Sequence, residues 1–501
     1  MRKVLVIGVI MLILAAALAV IWLNPGGGGK PTVTPPPVKR EEKPEEKPKI
    51  EVKNPDTLII ATIGDLETLD PAWHYDTASA TAIFNVYETL IFYDREKIDK
   101  FVPLLATEVP SLENGLIKTE PDGTTYITFQ IRKGIKFHEG GELTPEDVEY
   151  TFERGLLQDR TGGPQWVLLE PMLGVSVIES KDPNSPGLVE QLKAQIAQEN
   201  PNLPDEEISK RADEEACLKV KQTVEVDGDK VIFKLVEPFL PILQILAGTW
   251  GSILDKEWVI SLGGWDGDCA TWRQHHDPTV EKSELFEKMN GTGPFKFERW
   301  IKGQEISFVR NENYWRQPAK LKRAVIKIVE EWNTRRLMLE TGDADNIAVD
   351  RQFIDQLEPL LKEEYVGGEA DPQKLTTKNA QGTVRVYKNL PGLVMGAAFF
   401  NQKVAAEGNP YIGSGQLDGN GIPPDFFSDI DVRKGFQYAF NWDDYIKGAL
   451  KGEAEQPKGP IIRGVFGFNP DQPTYQYNVE QAAEHFKKAW GGAVWEKGFK
   501  F

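Results

Sequence analysis

Cysteine and histidine are scarce in this chain, and basic charge is outnumbered. Cys217 and Cys269 are the only two cysteines in 501 residues. Without a CxxC pair, a thiolate-built structural zinc site is excluded. One bridge between them and two separate thiols remain equally open, because spacing alone does not fix geometry. The five histidines are His74, His138, His275, His276 and His485. Only His275 and His276 adjoin, and sequence neighbours rarely chelate one ion. A metal site shared with Asp268 or Asp277 is therefore the lesser reading and a solvated loop the greater. HExxH, GxSxG and GxxxxGK[ST] are absent, which removes the zinc-protease, hydrolase-elbow and P-loop readings. Paired acids such as Asp443-Asp444 are common, but none stands out as a glycosidase pair. No catalytic residue, metal ligand or cofactor is expected, and the chain reads as a non-enzyme. Lysine and arginine total 58 against 76 acids, a formal charge of −18, which argues against a nucleic-acid partner. Asp418-Gly419-Asn420-Gly421 opens like a calcium loop but places Ile422 where a side-chain oxygen is needed. The sequon Asn290-Gly291-Thr292 lies in a Gly-Pro turn and is discounted.

The length calls for two or three domains, and 40% hydrophobic with 10% aromatic residues fits a folded protein. Arg2 and Lys3 precede an unbroken apolar run, Val4 to Leu23. Such a run, as a helix, rises roughly 30 Å and spans a bilayer core, with the basic end inside. Residues 1–25 are therefore expected to be a transmembrane signal anchor. A cleaved signal peptide is the rival, since Ala15 to Ala19 is rich in small residues. No cysteine follows the run to carry a lipid. Residues 26–55, with Gly26 to Gly29, several prolines and the charged stretch Lys39 to Lys49, read as a disordered stalk.

Beyond the stalk, strands and helices alternate, so the fold class is α/β or α+β with several lobes. Thr57 to Ala61 and Ala324 to Val329 suit buried strands, and Thr125 to Ile131 alternates like a half-buried one. Ile83, Val86, Tyr87 and Leu90 predict a helix over Thr77 to Ile91. Thr144, Pro145 and Asp147 predict a capped helix start. Leu188 to Lys219 reads as a helical inserted arm. Asp227-Gly228 marks a hairpin over Val224 to Leu235, and Gly303 marks another over Phe295 to Arg310. Asn333 is expected to cap a helix ending at Gly342. Val432, Phe436, Ala439 and Ile446 share a helical face, and Asn478 with Gln481 opens a last helix ending at Gly491-Gly492. Gly498 to Phe501 resembles the opening of a strand. Thirteen tryptophans are many for this length. Trp250 and Trp265 lie among glycines that could bring a ring to a cleft, although core packing is the commoner role of any one tryptophan.

Three segments carry a family resemblance. One runs from Pro121-Asp122-Gly123 through Ile131-Arg132-Lys133-Gly134-Ile135-Lys136-Phe137-His138-Glu139-Gly140 to Thr144-Pro145-Glu146-Asp147-Val148. The second joins Gly291-Thr292-Gly293-Pro294-Phe295, Arg310 to Trp315 and Glu340 to Asp345. The third is Asp431 to Phe440, and Leu69-Asp70-Pro71 also fits. Together they resemble the family 5 extracellular solute-binding proteins, the dipeptide and oligopeptide receptors of ABC importers. The resemblance implies a three-domain type II periplasmic-binding-protein fold, α/β, with two hinged lobes and an accessory α+β domain. Lobe I would take 56–91 and 238–345, the accessory domain 92–237, and lobe II 346–501. It places Asp65, Leu66, Glu67, Trp250, Gly251, Phe399, Phe400 and Asn401 near ligand. It implies a peptide ligand, with an oligosaccharide as the alternative within the family, delivered to ABC permease subunits. A monomer at the cell membrane, facing outward, is expected. The family's acid that pairs with a peptide amine lies beyond Phe501, so a truncated chain with an incomplete lobe II is expected. From another class, a stalk-anchored extracellular hydrolase would need a nucleophile–base pair that the sequence lacks.

Overall fold

The computed structural model describes residues 52–95, 97–366, 375–388, 390, 392, 394–465 and 467–501. The predicted anchor, 1–25, and the stalk up to residue 51 lie outside the described residues. Among the described residues, no helix is long and apolar enough to cross a membrane.

The chain opens with β1 (Thr57–Thr62), which buries Ile59 and Ala61. Next is α1 (Thr77–Val86), whose N-cap Asp76 accepts a hydrogen bond from Ser79 N. It stops before the predicted Ile91 because other segments claim the next backbone groups. Ile253 N donates to Glu88 O, and Leu104 N and Ala106 N donate to Leu90 O. The strands β2 (Ile117–Thr119) and β3 (Thr125–Gln130) follow, with Thr125, Ile127 and Phe129 pointing inward as the alternation required. At the start of α2 (Pro145–Gln158), Asp147 Oδ2 accepts from Thr144 N and Thr144 Oγ1, each at 2.8 Å. The predicted arm is a helix pair, α3 (Leu188–Glu199) and α4 (Asp205–Lys221). Cys217 on α4 is bonded to Cys269, with Cα atoms 5.6 Å apart, which settles the open question in favour of the bridge.

The hairpin β4 (Val224–Asp227) and β5 (Lys230–Leu235) turns at Gly228, φ +61°, where the left-handed backbone favours glycine. After α5 (Lys256–Ser261) come β6 (Phe295–Ile301), β7 (Glu305–Arg310) and β8 (Arg323–Ile328). The helix α6 (Trp332–Thr341) ends at Gly342 as expected, but its cap is Glu331 and not Asn333. The Glu331 carboxylate reaches both Asn333 N (2.9 Å) and Thr334 N (2.6 Å), so one side chain satisfies two free donors. Then come β9 (Asn346–Ile347), β10 (Leu361–Val366), β11 (Thr376–Thr377) and β12 (Val384–Lys388). The helix α7 (Ile430–Ala439) stops short of Ile446, because Phe440 is extended and Asn441 caps a new turn. Asn478 caps α8 (Val479–Lys488), its Oδ1 accepting from Gln481 N at 2.8 Å. That helix ends three residues before Gly491, since Trp490 already adopts φ 51°.

Five strands form one sheet in the order β6-β7-β8-β1-β9. Here β1 runs parallel to β8, from Thr57 opposite Arg323 to Thr62 opposite Ile328, and parallel to β9. An antiparallel sheet, β2-β3-β5-β4, sits under α2 and α4, and a three-stranded sheet runs β11-β10-β12. One continuous core includes Ile306 and Phe308 of β7 together with Ile127 and Phe129 of β3. A second core gathers Ile412, Ile422, Phe426, Val432, Ala489 and Val494. The predicted strand at Gly498 to Phe501 does not form. Phe499 and Phe501 stack on each other and pack on Phe436, so ring contacts stand where strand pairing was expected. Trp265 is a core residue and no cleft ring: it is 1% exposed and stacks on Tyr150, whose hydroxyl donates to Trp265 O.

Candidate ligand-binding loop and its anchors

The loop after β1 is held by a buried ion pair. Arg154 of α2 donates to Asp70 through both terminal nitrogens, at 2.7 and 3.2 Å, and neither side chain is exposed. Burying two charges is costly, and hydrogen bonds from neighbouring groups reduce that cost. Ser283 Oγ (2.6 Å) and Ala72 N (3.0 Å) complete the carboxylate, and Glu284 lies 3.6 Å from the guanidinium. Burial alone would raise the Asp70 carboxyl, but Arg154 and these hydrogen bonds hold it below the ordinary value. Leu69-Asp70-Pro71 is thereby fastened to the helix that carries the signature. Trp73 Nε1 donates to Gln158 Oε1, and Gln165 Nε2 donates to Ala72 O, extending the attachment.

Around this anchor the predicted site residues separate into two groups. Asp65 is half-buried and accepts from Trp300 Nε1 (2.8 Å) and Gly303 N (2.6 Å). Leu66 is in the core. Glu67 is exposed and pairs with Arg160 at 3.1 Å. Trp250 is half-buried and donates through its indole N–H to His74 O. Gly251 packs so closely that a Cβ there would lie 2.3 Å from Leu246 O. Arg160 also reaches Trp73 O, so Glu67 and Trp250 belong to one neighbourhood around Trp73-His74. Phe399 is 90% exposed, Phe400 packs on Phe427 and Phe436, and Asn401 accepts from Lys403 N. Of those three only Phe400 touches the second core, and among the described residues no hydrogen bond or ring contact joins them to the first group.

Sequence reasoning missed His74 and Tyr75, although Trp73-His74-Tyr75 directly follows Leu69-Asp70-Pro71. The Tyr75 ring is half-exposed and lies 5.7 Å from Trp250. His74 is buried, with neither ring nitrogen hydrogen-bonded among the described residues. Burial pushes its pKa down, so the ring is neutral at physiological pH. The neighbourhood therefore offers a solute one carboxylate, one guanidinium and two ring faces.

The remaining motif residues act as a weld. His138 donates its N–H to Gly291 O and sets Nε2 2.9 Å from Gly293 O, while Lys296 Nζ donates to His138 O. A Cβ on Gly291 would lie 2.0 Å from Val86 O, so only glycine allows this approach. Buried Glu88 accepts from Thr292, Tyr314 and Trp315 at 2.6 to 2.8 Å. Asn290 of the sequon is fully buried, its amide donating to Asp255. Oxygens of Asp147, Asp255 and Glu257 lie within 4.8 Å of one another. The two buried acids are already in use as caps. Asp147 accepts from Thr144 and Lys256 N, and Asp255 accepts from Trp258 N and Asn290. Burial leads the causes that push Asp147 up to about 6, and the donor set does not fit a cation site. His275 and His276 are half-buried: His276 Nδ1 sits 2.8 Å from Leu157 O, and its ring meets Trp272 edge-on.

Residues 100–500 match the family described as Bacterial extracellular solute-binding proteins, family 5 Middle. The chain is 24% identical to a probable D,D-dipeptide-binding periplasmic protein, DdpA, of Escherichia coli, over 86% of this chain and 62% of that one. It is 24% identical to the dipeptide-binding protein of the same organism, over 75% and 54%. With di/tripeptide-binding protein 2 of Pseudomonas aeruginosa the identity is 23%, over 87% and 64%. The chain thus spans between 54% and 64% of the length of these relatives, each named for what it binds and not for a reaction. Two solved structures share the fold. The DppA binding protein of Helicobacter pylori, in complex with the peptide STSA, has a TM-score of 0.51 at 22% identity, covering 87% of this chain and 66% of that one. AppA of Bacillus subtilis, in complex with a nonapeptide, has 0.53 at 20% identity, covering 86% and 64%. The fold is therefore that of the α/β periplasmic binding proteins, and the chain belongs to the bacterial extracellular solute-binding proteins of family 5.

Proposed function

We propose that this chain captures short peptides outside the cell and delivers them to an ABC importer, without altering them covalently. The carrying observation is the Glu67–Arg160 pair beside Tyr75 and Trp250, on a loop fixed by Asp70 and Arg154. A peptide brings charged termini, a hydrogen-bonding backbone and side chains, and these groups can answer all three. The peptide-binding names of the relatives support the same reading. Residues 56–91 with 238–345, and 346–501, act as the two lobes, 92–237 as the accessory domain, and Asp65, Leu66, Glu67, Trp250, Gly251, Phe399, Phe400 and Asn401 as ligand neighbours. Lobe closure holds the ligand because the shut state makes contacts that the open one lacks. The chain works as a monomer, held on the outer face of the cell membrane by Val4 to Leu23.

The oligosaccharide alternative rested on the tryptophan count, and Trp73, Trp265 and Trp272 are packed in the core. Calorimetry and thermal shift with defined di- to hexapeptides, against oligosaccharides of matched length, test the proposal. Saturable heat and a raised Tm with peptides are expected. A flat response to peptides, or a rise with sugars only, overturns it. Membrane fractionation with protease protection tests the anchoring and the side on which the chain lies.

A further inference from the structure

A cavity of about 500 Å³ opens where the chain leaves β3, between Gln130–Ile135 and Trp315. This volume lies within the range of small-ligand pockets. We propose that this groove binds an oxyanion group, carboxylate or phosphate, through Arg132, at a site that shares no residue with the peptide loop. The Arg132 side chain is held in place: its Nε donates to Leu104 O at 2.7 Å, and its guanidinium carbon lies 5.6 Å from the Trp315 ring centroid. Trp315 is fixed in turn, since its indole N–H donates to buried Glu88 at 2.7 Å. With Nε engaged, the two terminal nitrogens form the free edge of the fork, and among the described residues no carboxylate pairs with them. A planar fork with two parallel N–H groups matches a carboxylate or phosphate in bidentate fashion.

The surrounding charge is mixed, so recognition rests on the free edge of the Arg132 fork. Arg316 also lies near the Trp315 ring, 5.7 Å from its centroid, but is not among the residues that line the groove. Lys133 lines the rim and pairs with Asp229 at 2.7 Å, an exposed contact that water screens. Two further acids adjoin the groove: exposed Glu142, which accepts from Gly134 N at 2.9 Å, and Glu88. Glu88 sits behind the indole, accepts three hydrogen bonds, and burial pushes its pKa up, so it repels an incoming anion less than an exposed carboxylate would.

Two sources can supply the group, a free small anion or the acidic side chain of a protein. The full chain is titrated by calorimetry with inorganic phosphate, with citrate and with a hexaglutamate peptide. Saturable binding of at least one probe below about 10 mM is expected, and Arg132→Lys, which keeps the charge but loses the fork, should weaken it at least about tenfold. Phosphate or citrate alone identifies a small-anion site, while hexaglutamate binding that Arg132→Lys weakens identifies acidic side chains. Lys133→Gln provides a second reading if Arg132→Lys lowers Tm, and it should weaken binding severalfold. No heat from any probe up to that concentration, or unchanged binding in both variants, overturns the proposal. Binding of di- to hexapeptides at the other site should be untouched, so the two proposals fail separately.

Discussion

Arg154 is the residue on which the candidate site leans hardest. Its removal would leave the Asp70 carboxylate in a dry core with Ser283 and Ala72 N as its remaining donors. Arg154→Met should cost about 3–5 kcal/mol, measured as a fall in the urea midpoint. Asp70→Asn combined with Arg154→Met should recover much of that loss, because the desolvated charge is gone. A recovery of nothing would show that the pair matters through shape alone. Because the Asp70 carboxyl is held below its unfolded value, the stability it lends is present above that value and disappears as pH falls through the folded one. Asp70 was visible in Leu69-Asp70-Pro71, but its partner lies 84 residues away. Nothing local in Val148 to Gln158 distinguishes a buried arginine from a solvated one, so this half of the anchor was not legible.

Among the elements, α2 carries a buried acid that works against the fold at neutral pH. Glu153 is 3% exposed, and burial pushes its carboxyl up to about 7 despite the ion pair with Lys221 at 2.8 Å. The folded state therefore holds this proton more tightly than the unfolded one. Its stabilising contribution is complete below the unfolded pKa of about 4.3 and is lost as pH rises through about 7. The shift corresponds to roughly 3 kcal/mol. Glu153→Gln should flatten the decline in stability between pH 5 and pH 8, read from urea midpoints at each pH. An unchanged slope would place the titration elsewhere. The second element-scale prediction concerns α4, tied to the loop before His275 by Cys217–Cys269, 52 residues apart in sequence. Replacing both cysteines by serine should cost about 4 kcal/mol in the chain-entropy picture. Calorimetric unfolding of the variant, compared with the disulfide-bonded parent, checks it.

Elements were legible where their determinants were local. Thr144 with Asp147 and Asn478 with Gln481 lie within one helical turn, so the caps could be read directly. Where distant backbone groups decide, as at Glu88 to Leu90, the pattern continued past the real end of α1.

For the whole molecule, the decisive pairing is that of β1 with β8 and β9, which come from far along the chain. Hydrophobic runs identified β1 and β8 as strands but carried no information about which strands would meet. Only the resemblance joined them, just as it alone nominated Phe399, Phe400 and Asn401. The second core follows different logic. Phe426 is fully buried among Phe427, Phe499 and the side chains of α7, and this group is separate from the core that holds the Asp70 loop. Cores that share no residues can open separately, each with its own free energy. Phe426→Ala should therefore cost about 3–5 kcal/mol within its own cluster. Hydrogen exchange should then quicken across 410–499 while the amides of β3, β5 and α2 keep their parental protection. If protection fell equally in both regions, the two clusters would form one cooperative unit, and a ligand gripped at the Asp70 loop would be felt directly at Phe426.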